Sequence, residues 1–367
     1  MQLEVPERKN DSGVFIIAEV GINHNGDLGR AAELVGAAVD CGADAVKFQH
    51  FDVDALASRQ AFLAPYQAKS GSQGKTQREM LKRYEFSVAQ QQTLKSLCDS
   101  NNVEYMATAF DAGSLGTLLT DIGVSRLKIA SGEITNGPLL LQHARAGLPI
   151  IMSTGMASLQ EVGQALKVIR RGIPSEVRQN KGDIRVEPQR ENGLQWANGR
   201  VTLLQCTTAY PASLESANLR AMEAMRREFG CPVGFSDHTT GITAAVTAAV
   251  LGATVIEKHL TLSQNDEGPD HKASLEPQQF KVMIEEIGRV MTSMGSPRKI
   301  AHPSEIANIN VARKSLVATQ KISRGQKFTE QNLTAKRPGH GMSPMDYWEL
   351  LGKISTQDYE PGDMISE

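Results

Sequence analysis

The segment VFIIAEVGINHNGDLGRAAELVGAAVDCGADAVKFQ, residues Val14–Gln49, decides the fold. It opens with an apolar run, Val14–Val20. A polar turn then leads into Leu28–Cys41, whose apolar positions recur at helical spacing, and after Gly42 a second apolar run, Ala45–Gln49, begins. Strand, helix and strand in this order make one β-α-β unit of a parallel sheet. Working outward, the same alternation continues to about Met294, with strands predicted at Glu104–Thr108, Arg126–Ala130, Pro149–Ser153, Val201–Cys206, Pro232–Phe235 and Thr254–Lys258. Amphipathic helices are predicted between them, among them Val88–Asn101, Leu159–Arg171 and Pro277–Met291. Eight such strands close into a (β/α)8 TIM barrel, which takes roughly 250 residues.

The chain has 367 residues, so a second, smaller module is expected. The reading gives a barrel over 1–293, a polar linker over 294–311 and a compact, turn-rich domain over 312–367, marked by Gly325, Gly339, Gly341, Gly352 and Gly362. Two stretches break the barrel rhythm. Val53–Glu85 reads as a long loop on the active face, and Gly172–Arg200 as a polar surface insertion.

Composition excludes several function classes. A formal charge of −2 provides no field for nucleic acid or an anionic membrane, so any anion site must be local. No run approaches the ~20 apolar residues of a membrane span, and Met1–Gly13 lacks the apolar centre of a signal peptide, which predicts a cytoplasmic protein. Four scattered cysteines without a C-x-x-C pair read as reduced core thiols.

Barrel enzymes place their chemistry at the C-terminal ends of the strands. Here those ends carry Glu19, Lys47 with Gln49, Thr108, Lys128 followed by Ser131-Gly132-Glu133, Ser153-Thr154-Gly155, Ser236-Asp237-His238 and Glu257-Lys258-His259. Lys47 and Lys128 stand where a strand would otherwise stay apolar, and a buried cation needs an anion, either an acid such as Glu19 or Glu133 or a bound ligand. Ser131, Ser153 and Ser236 add hydroxyl donors suited to a phosphorylated ligand. His238 and His259 end neighbouring strands about 4.8 Å apart and are candidates to share a metal, with core histidines as the plain alternative. Two histidines leave coordination positions for water and substrate, which suits Mn2+ or Mg2+. Asp270, in the Glu267–His271 turn, is placed to hang over the barrel mouth.

The runs Ala18–Gly26, Ala45–Gln49, Lys128–Glu133, Ser153–Met156, Phe235–Thr239, Ile256–His259 and Glu267–His271 resemble, in order, those of bacterial N-acetylneuraminate (sialic acid) synthases. Ala312–Ser315 and Lys336–Pro344 resemble the antifreeze-like (SAF) domain that ends that family. The resemblance implies a phosphoenolpyruvate-dependent condensation with an N-acetylmannosamine-like sugar, or with a 2,4-diacetamido-trideoxy sugar in a legionaminic acid synthase. It implies that His238 and His259 bind the divalent metal, and that Lys47, Thr108, Lys128, Ser131, Ser153 and Ser236 hold phosphoenolpyruvate. Gln49, Glu19, Glu133, Tyr210 and Asp270 would face the sugar, with Glu19, Glu133 and Asp270 as the candidate acids and bases. It also implies a homodimer in which Arg337 of one subunit reaches the sugar site of the other; a linker of about 18 residues spans up to about 60 Å when extended. Gln205 before Cys206, Ala107–Phe110 and Thr207–Pro211 depart from the family pattern on the sugar's side. A Schiff-base aldolase with Lys128 as nucleophile, and an ice- or carbohydrate-binding role for the C-terminal module, are the readings from other classes.

Overall fold

The computed structural model describes residues 12–58, 61–63, 76–174 and 199–366. The chain divides into two compact units, Met1–Gly295 and Ser296–Glu367. In the first, eight parallel strands close into a barrel in sequence order: β1 (Phe15–Gly21), β2 (Ala45–His50), β3 (Glu104–Ala109), β4 (Leu127–Ile129), β5 (Ile150–Ser153), β6 (Val201–Cys206), β7 (Val233–Asp237) and β8 (Val255–His259). The ring closes where β1 pairs with β8, Phe15 against Val255 through to Glu19 against His259.

The local causes are visible in the opening segment. Asp27 caps the helix Leu28–Cys41 by accepting from Arg30 N, and Gly42 ends it at φ 86. Its buried face, Ala31, Leu34, Val35, Ala38 and Cys41, keeps the three- and four-residue spacing that lays one stripe on the sheet. Outward strand residues such as Ile16, Ala18, Val46 and Phe48 meet those helices in the main core. The inward residues Phe15, Ile17, Ala45, Met106, Ile151, Leu204 and Val255 form a separate cluster that fills the barrel itself. Gly234 lies at that inner layer, where a Cβ would fall 2.3 Å from Val255 O and 2.6 Å from Leu204 Cδ2, so only glycine fits.

Three segments differ from the sequence reading. After β3 the chain forms the helix Ala112–Thr117, continued as a π turn over Leu118–Ile122. Gly113 and Gly116 dilute the helical signal there, and the cap Asp111 Oδ1, 2.8 Å from Ser114 N, supplies the start. Within Val53–Glu85, read as loop, the helices Val53–Leu56 and Gln77–Leu81 bury Val53, Met80 and Leu81 with Ile22, Phe51 and Tyr84. Gly71 and Gly74 lie outside the described residues, as does 175–198 of the predicted insertion. Within 294–311, read as linker, a helix begins at Ile306 and runs to Ala312 in the second unit.

That second unit pairs β9 (Ser315–Ala318) with β10 (Leu333–Lys336) antiparallel, around a core of Leu316, Ala318, Ile322, Phe328, Leu333, Leu350, Tyr359 and Ile365. Among the described residues, all four cysteines are free and buried, and no helix is long and apolar enough to cross a membrane.

Candidate active site at the barrel mouth

Side chains on a strand alternate, so residues two apart share a face. Two positions beyond Ile17, Ala45, Met106, Ile151, Leu204 and Val255 of the apolar layer stand Glu19, Lys47, Thr108, Ser153, Cys206 and Glu257. Lys128 of β4 and Ser236 of β7 complete this polar layer, which floors a cavity of about 320 Å³. Ile22, Leu56, Met80, Leu81 and Phe110 contribute an apolar wall, and Gln49, Glu133, Thr208, Tyr210, Pro269 and Asp270 also line it.

The floor is ionic and buried. Lys47 Nζ lies 2.5 Å from Glu19 Oε2 and 3.7 Å from Glu257 Oε2, while Lys128 Nζ is 3.6 Å from Glu257 Oε1. Glu257 also accepts from Ser236 Oγ at 2.8 Å. Burial pushes the Glu19 carboxyl up to about 7, against the pull of Lys47. Burial pushes Glu257 the same way, but Lys128 and Lys47 outweigh it and hold that carboxyl below its ordinary value. Near neutral pH the floor therefore holds two lysines against one firm carboxylate and a second that readily gives up its charge. Such a layer has a place for an anion. Gly21, at φ +54, leaves room for this arrangement, since a Cβ would stand 2.9 Å from Glu19 Oε1 and 3.3 Å from Gln49 Nε2.

The hydroxyls divide into two groups. Thr108 Oγ1 accepts from Lys47 at 3.3 Å, and Ser131 Oγ accepts from Gly155 N at 2.9 Å; both line the cavity. Ser153 Oγ lies behind Lys128, accepting from its Nζ at 2.8 Å, and is not among the lining residues. Glu133 is half-buried and accepts from Asn136 Nδ2 at 2.8 Å. The sequence pairs the lysines with Glu19 or Glu133; the structure pairs them with Glu19 and Glu257. Glu257 stands at the strand end named from the sequence but is given no role there, and its signal was the alternation Val255, Glu257, His259 on one face of β8.

Beside the floor, the rings of His238 and His259 lie 5.3 Å apart between centroids, with Tyr210 tilted at 4.1 Å from the first and edge-on at 5.9 Å to the second. His238 Nδ1 is 2.8 Å from Thr207 O, which can only accept, so this nitrogen carries a proton, and Nε2 offers a lone pair only when the ring is neutral. Burial lowers the His238 pKa, but Cys206, 3.8 Å away, and Thr207 O reverse the shift, to about 8. Burial and the positive charge of His238 hold His259 well below the usual imidazole range. His259 Nδ1 has no hydrogen-bond partner and lies 4.0 Å from Asp270 Oδ2. Burial raises Asp270 to about 6. A neutral ring with an unsatisfied buried nitrogen, beside a second ring and a carboxyl, fits a cation site. Among the described residues, no three His, Cys, Asp or Glu gather closely enough to complete one by themselves, so other ligands would have to come from water or substrate.

Arg337 is exposed in the second unit, its Nε donating to Ala312 O at 3.0 Å. Lys258, grouped by sequence with Glu257 and His259, points to the opposite face of β8 and pairs with Asp237.

The sequence profile of the NeuB family matches residues 34–299, and that of the SAF domain matches residues 313–367. This chain belongs to the NeuB family. Among its NeuB relatives is the N,N'-diacetyllegionaminic acid synthase of Campylobacter jejuni subsp. jejuni serotype O:2, 44% identical across 96% of this chain and 99% of that protein. The N,N'-diacetyllegionaminic acid synthase of Legionella pneumophila is 38% identical, covering 98% of this chain and 95% of that one. The mouse N-acetylneuraminate-9-phosphate synthase is 34% identical over 96% and 91%. The crystal structure of an N-acetylneuraminic acid (sialic acid) synthetase from Leptospira borgpetersenii superposes with a TM-score of 0.65 at 31% identity, covering 81% of this chain and 90% of that one. The NeuB barrel and the SAF module that follows it are thus shared with sugar-acid synthases.

Proposed function

We propose that this chain condenses phosphoenolpyruvate with the open-chain aldehyde of an N-acetylated amino sugar, giving a nonulosonic acid and inorganic phosphate. The observation that carries the reading is the floor, where buried Lys47 and Lys128 share Glu257 inside a cavity that also holds His238 and His259. A small ligand that carries both a phosphate and a carboxylate matches that charge pattern, and the relatives named above are named as synthases of sugar acids.

In this reading Lys47, Lys128, Thr108, Ser131 and Ser236 hold the phosphate and carboxylate, while Ser153 acts through Lys128 by fixing its ammonium group. The ligand is oriented so that its C3 faces the aldehyde carbon and forms the new C–C bond. Water then adds at C2, the C2–O bond to phosphate breaks, and phosphate leaves with that oxygen. A divalent cation, Mn2+ or Mg2+, held by His238 and His259 supplies Lewis-acid polarisation of the aldehyde oxygen when bound. Protons must reach that oxygen and leave the attacking water. Glu19, raised to about 7 and in contact with Lys47, is better suited to this transfer than half-buried Glu133. Asp270, raised to about 6, serves the sugar's side together with Gln49 and Tyr210.

The two diacetyllegionaminic acid synthases among the relatives support a 2,4-diacetamido-trideoxy sugar ahead of N-acetylmannosamine. The apolar wall of Leu56, Met80, Leu81 and Phe110 suits the less hydroxylated of the two. The active assembly in this proposal is a homodimer, with Arg337 of one subunit facing the sugar held by the other. Phosphate release measured with each sugar tests the reading, using phosphoenolpyruvate labelled with 18O at the bridging position. Label recovered in phosphate, and faster release with the diacetamido sugar, are the expected results. Absence of sugar-dependent release with both would overturn the reaction.

A further inference from the structure

The backbone ladder between β7 and β8 stops one residue short of the histidines. Its register partners are Phe235 with Ile256, Ser236 with Glu257 and Asp237 with Lys258, and it extends no further. His259 is still held on its other side, paired with Glu19 of β1. His238 follows the end of β7 without a rung to β8, so its position relative to His259 is set by the contacts of the turn that carries it.

The last rung provides them. Lys258 Nζ lies 2.8 Å from Asp237 Oδ2, and both side chains are fully buried, at 0% exposure, on the face away from the cavity. The same ammonium group donates to Thr239 O, and Asp237 Oδ1 accepts from Thr239 N at 2.8 Å. The residues before and after His238 are thereby bound to each other and to the residue that precedes His259. Ala212 N, donating to His238 O at 2.9 Å, holds the turn from its other side. A buried ion pair is a poor means of gaining stability, because desolvating both charges offsets most of their attraction; it is better suited to fixing one geometry.

We infer that Asp237 and Lys258 are positioning residues for the two-histidine site, locking the turn that carries His238 in register with His259 so that both rings can serve one divalent cation. The inference rests on the proposed metal role of those histidines. The test uses the full-length protein stripped of metal and titrated with Mn2+, free ion being counted by electron paramagnetic resonance, with thermal unfolding followed in parallel. Replacing the pair by apolar residues, Asp237→Leu with Lys258→Met, should leave the protein folded but weaken Mn2+ binding about 10–100-fold, the usual cost of removing support behind a ligand. Arg126→Met, at the opposite end of the barrel, should bind Mn2+ like the parent and so controls for general destabilisation. If the double variant does not fold, Asp237→Asn takes its place, since it removes the charge and keeps an oxygen for Thr239 N; a several-fold loss of affinity is expected. Parental Mn2+ affinity in a folded variant of the pair would overturn the inference. No Mn2+ binding by the parent protein would instead overturn the metal reading beneath it, and the inference with it.

Discussion

The barrel interior contains two layers built by the same strands and the same alternation, yet their chemistry is opposite. Ile17, Ala45, Met106, Ile151, Leu204 and Val255 make one apolar plug, and two residues further along those strands come Glu19, Lys47, Thr108, Ser153, Cys206 and Glu257. The lower layer supplies burial without polar debt, as a core should. The upper layer gives up that stability to hold charges close together, and its carboxyls and ammonium groups have pKa values moved in both directions. In the proposed reaction, stability and chemistry are thus separated by two residues along each of these strands. The largest test of this division is Lys128→Met. The variant should lose about 10^2–10^3-fold in kcat/KM, as expected when a donor to a developing or bound anion is removed, while its melting temperature moves little, because Glu257 keeps Lys47 and Ser236. A large drop in melting temperature with activity retained would reverse the roles assigned to the two layers.

The converse substitution lies in the apolar plug, at the residue of β5 that pairs with Lys128. Ile151→Ala removes three carbon atoms from a side chain 1% exposed in the inner cluster. It should cost about 2–4 kcal/mol of stability in denaturant unfolding, with kcat per folded molecule within about twofold of the parent. A collapse of kcat in fully folded protein would show that the layers are mechanically coupled.

Much of this division was legible in the sequence, because strand alternation alone assigns the inward residues once the strands are placed. Strand β6 and the helix Leu28–Cys41 fall on their predicted limits, and the other strands are offset by only one or two residues at their ends. The departures have physical causes. The helix Ala112–Thr117 was hidden by Gly113 and Gly116, and the short helices Val53–Leu56 and Gln77–Leu81 are held by tertiary burial of Val53, Met80 and Leu81, which carries no periodic signature. Pairing was the least legible feature. Sequence offered Glu19 or Glu133 for the lysines, but which acid lies near which base depends on strand stagger around the closed ring, and that brings Glu257 between Lys47 and Lys128. Alternation turns Lys258 away from the cavity, and stagger decides that it meets Asp237 there.

A third test concerns the loops above the layers. His24, after β1, stacks 4.0 Å from Phe86 and its Nδ1 accepts from Gly26 N at 3.0 Å, which requires a neutral ring. Burial lowers its pKa to about 4 and likewise lowers that of His271, whose Nε2 lies 3.3 Å from Asn25 Oδ1. Below about pH 6.5 the unfolded chain takes up protons that the folded rings refuse. Stability is therefore complete above that pH and is lost as pH falls from about 6.5 towards 4. Between pH 7 and 5, His24 alone should account for about 1–2 kcal/mol, and calorimetry should find a smaller acid-induced fall in melting temperature for His24→Asn than for the parent. An equal fall in both would place the acid-sensitive groups elsewhere, in the ionic layer for instance.

The smallest expected effect sharpens the comparison most, because it puts charge at the end of the barrel where no chemistry is assigned. Arg126, just before β4, meets Glu104 at the start of β3 through Nε–Oε1 and Nη2–Oε2 contacts of 3.2 and 3.3 Å, and its guanidinium lies 4.7 Å from the Phe15 ring centroid. Like Lys128 with Glu257 it is a cation–carboxylate contact between barrel elements. Unlike them it is partly exposed, so solvent screens the pair and its loss leaves no uncompensated buried charge. Arg126→Met should cost about 0.5–1 kcal/mol of stability and leave kcat/KM unchanged. What separates the two contacts is not the kind of bond but the end of the strand on which it stands. A loss of activity from Arg126→Met comparable to that from Lys128→Met would mean that charge anywhere in the barrel supports turnover, and the assignment of chemistry to the upper layer would fail.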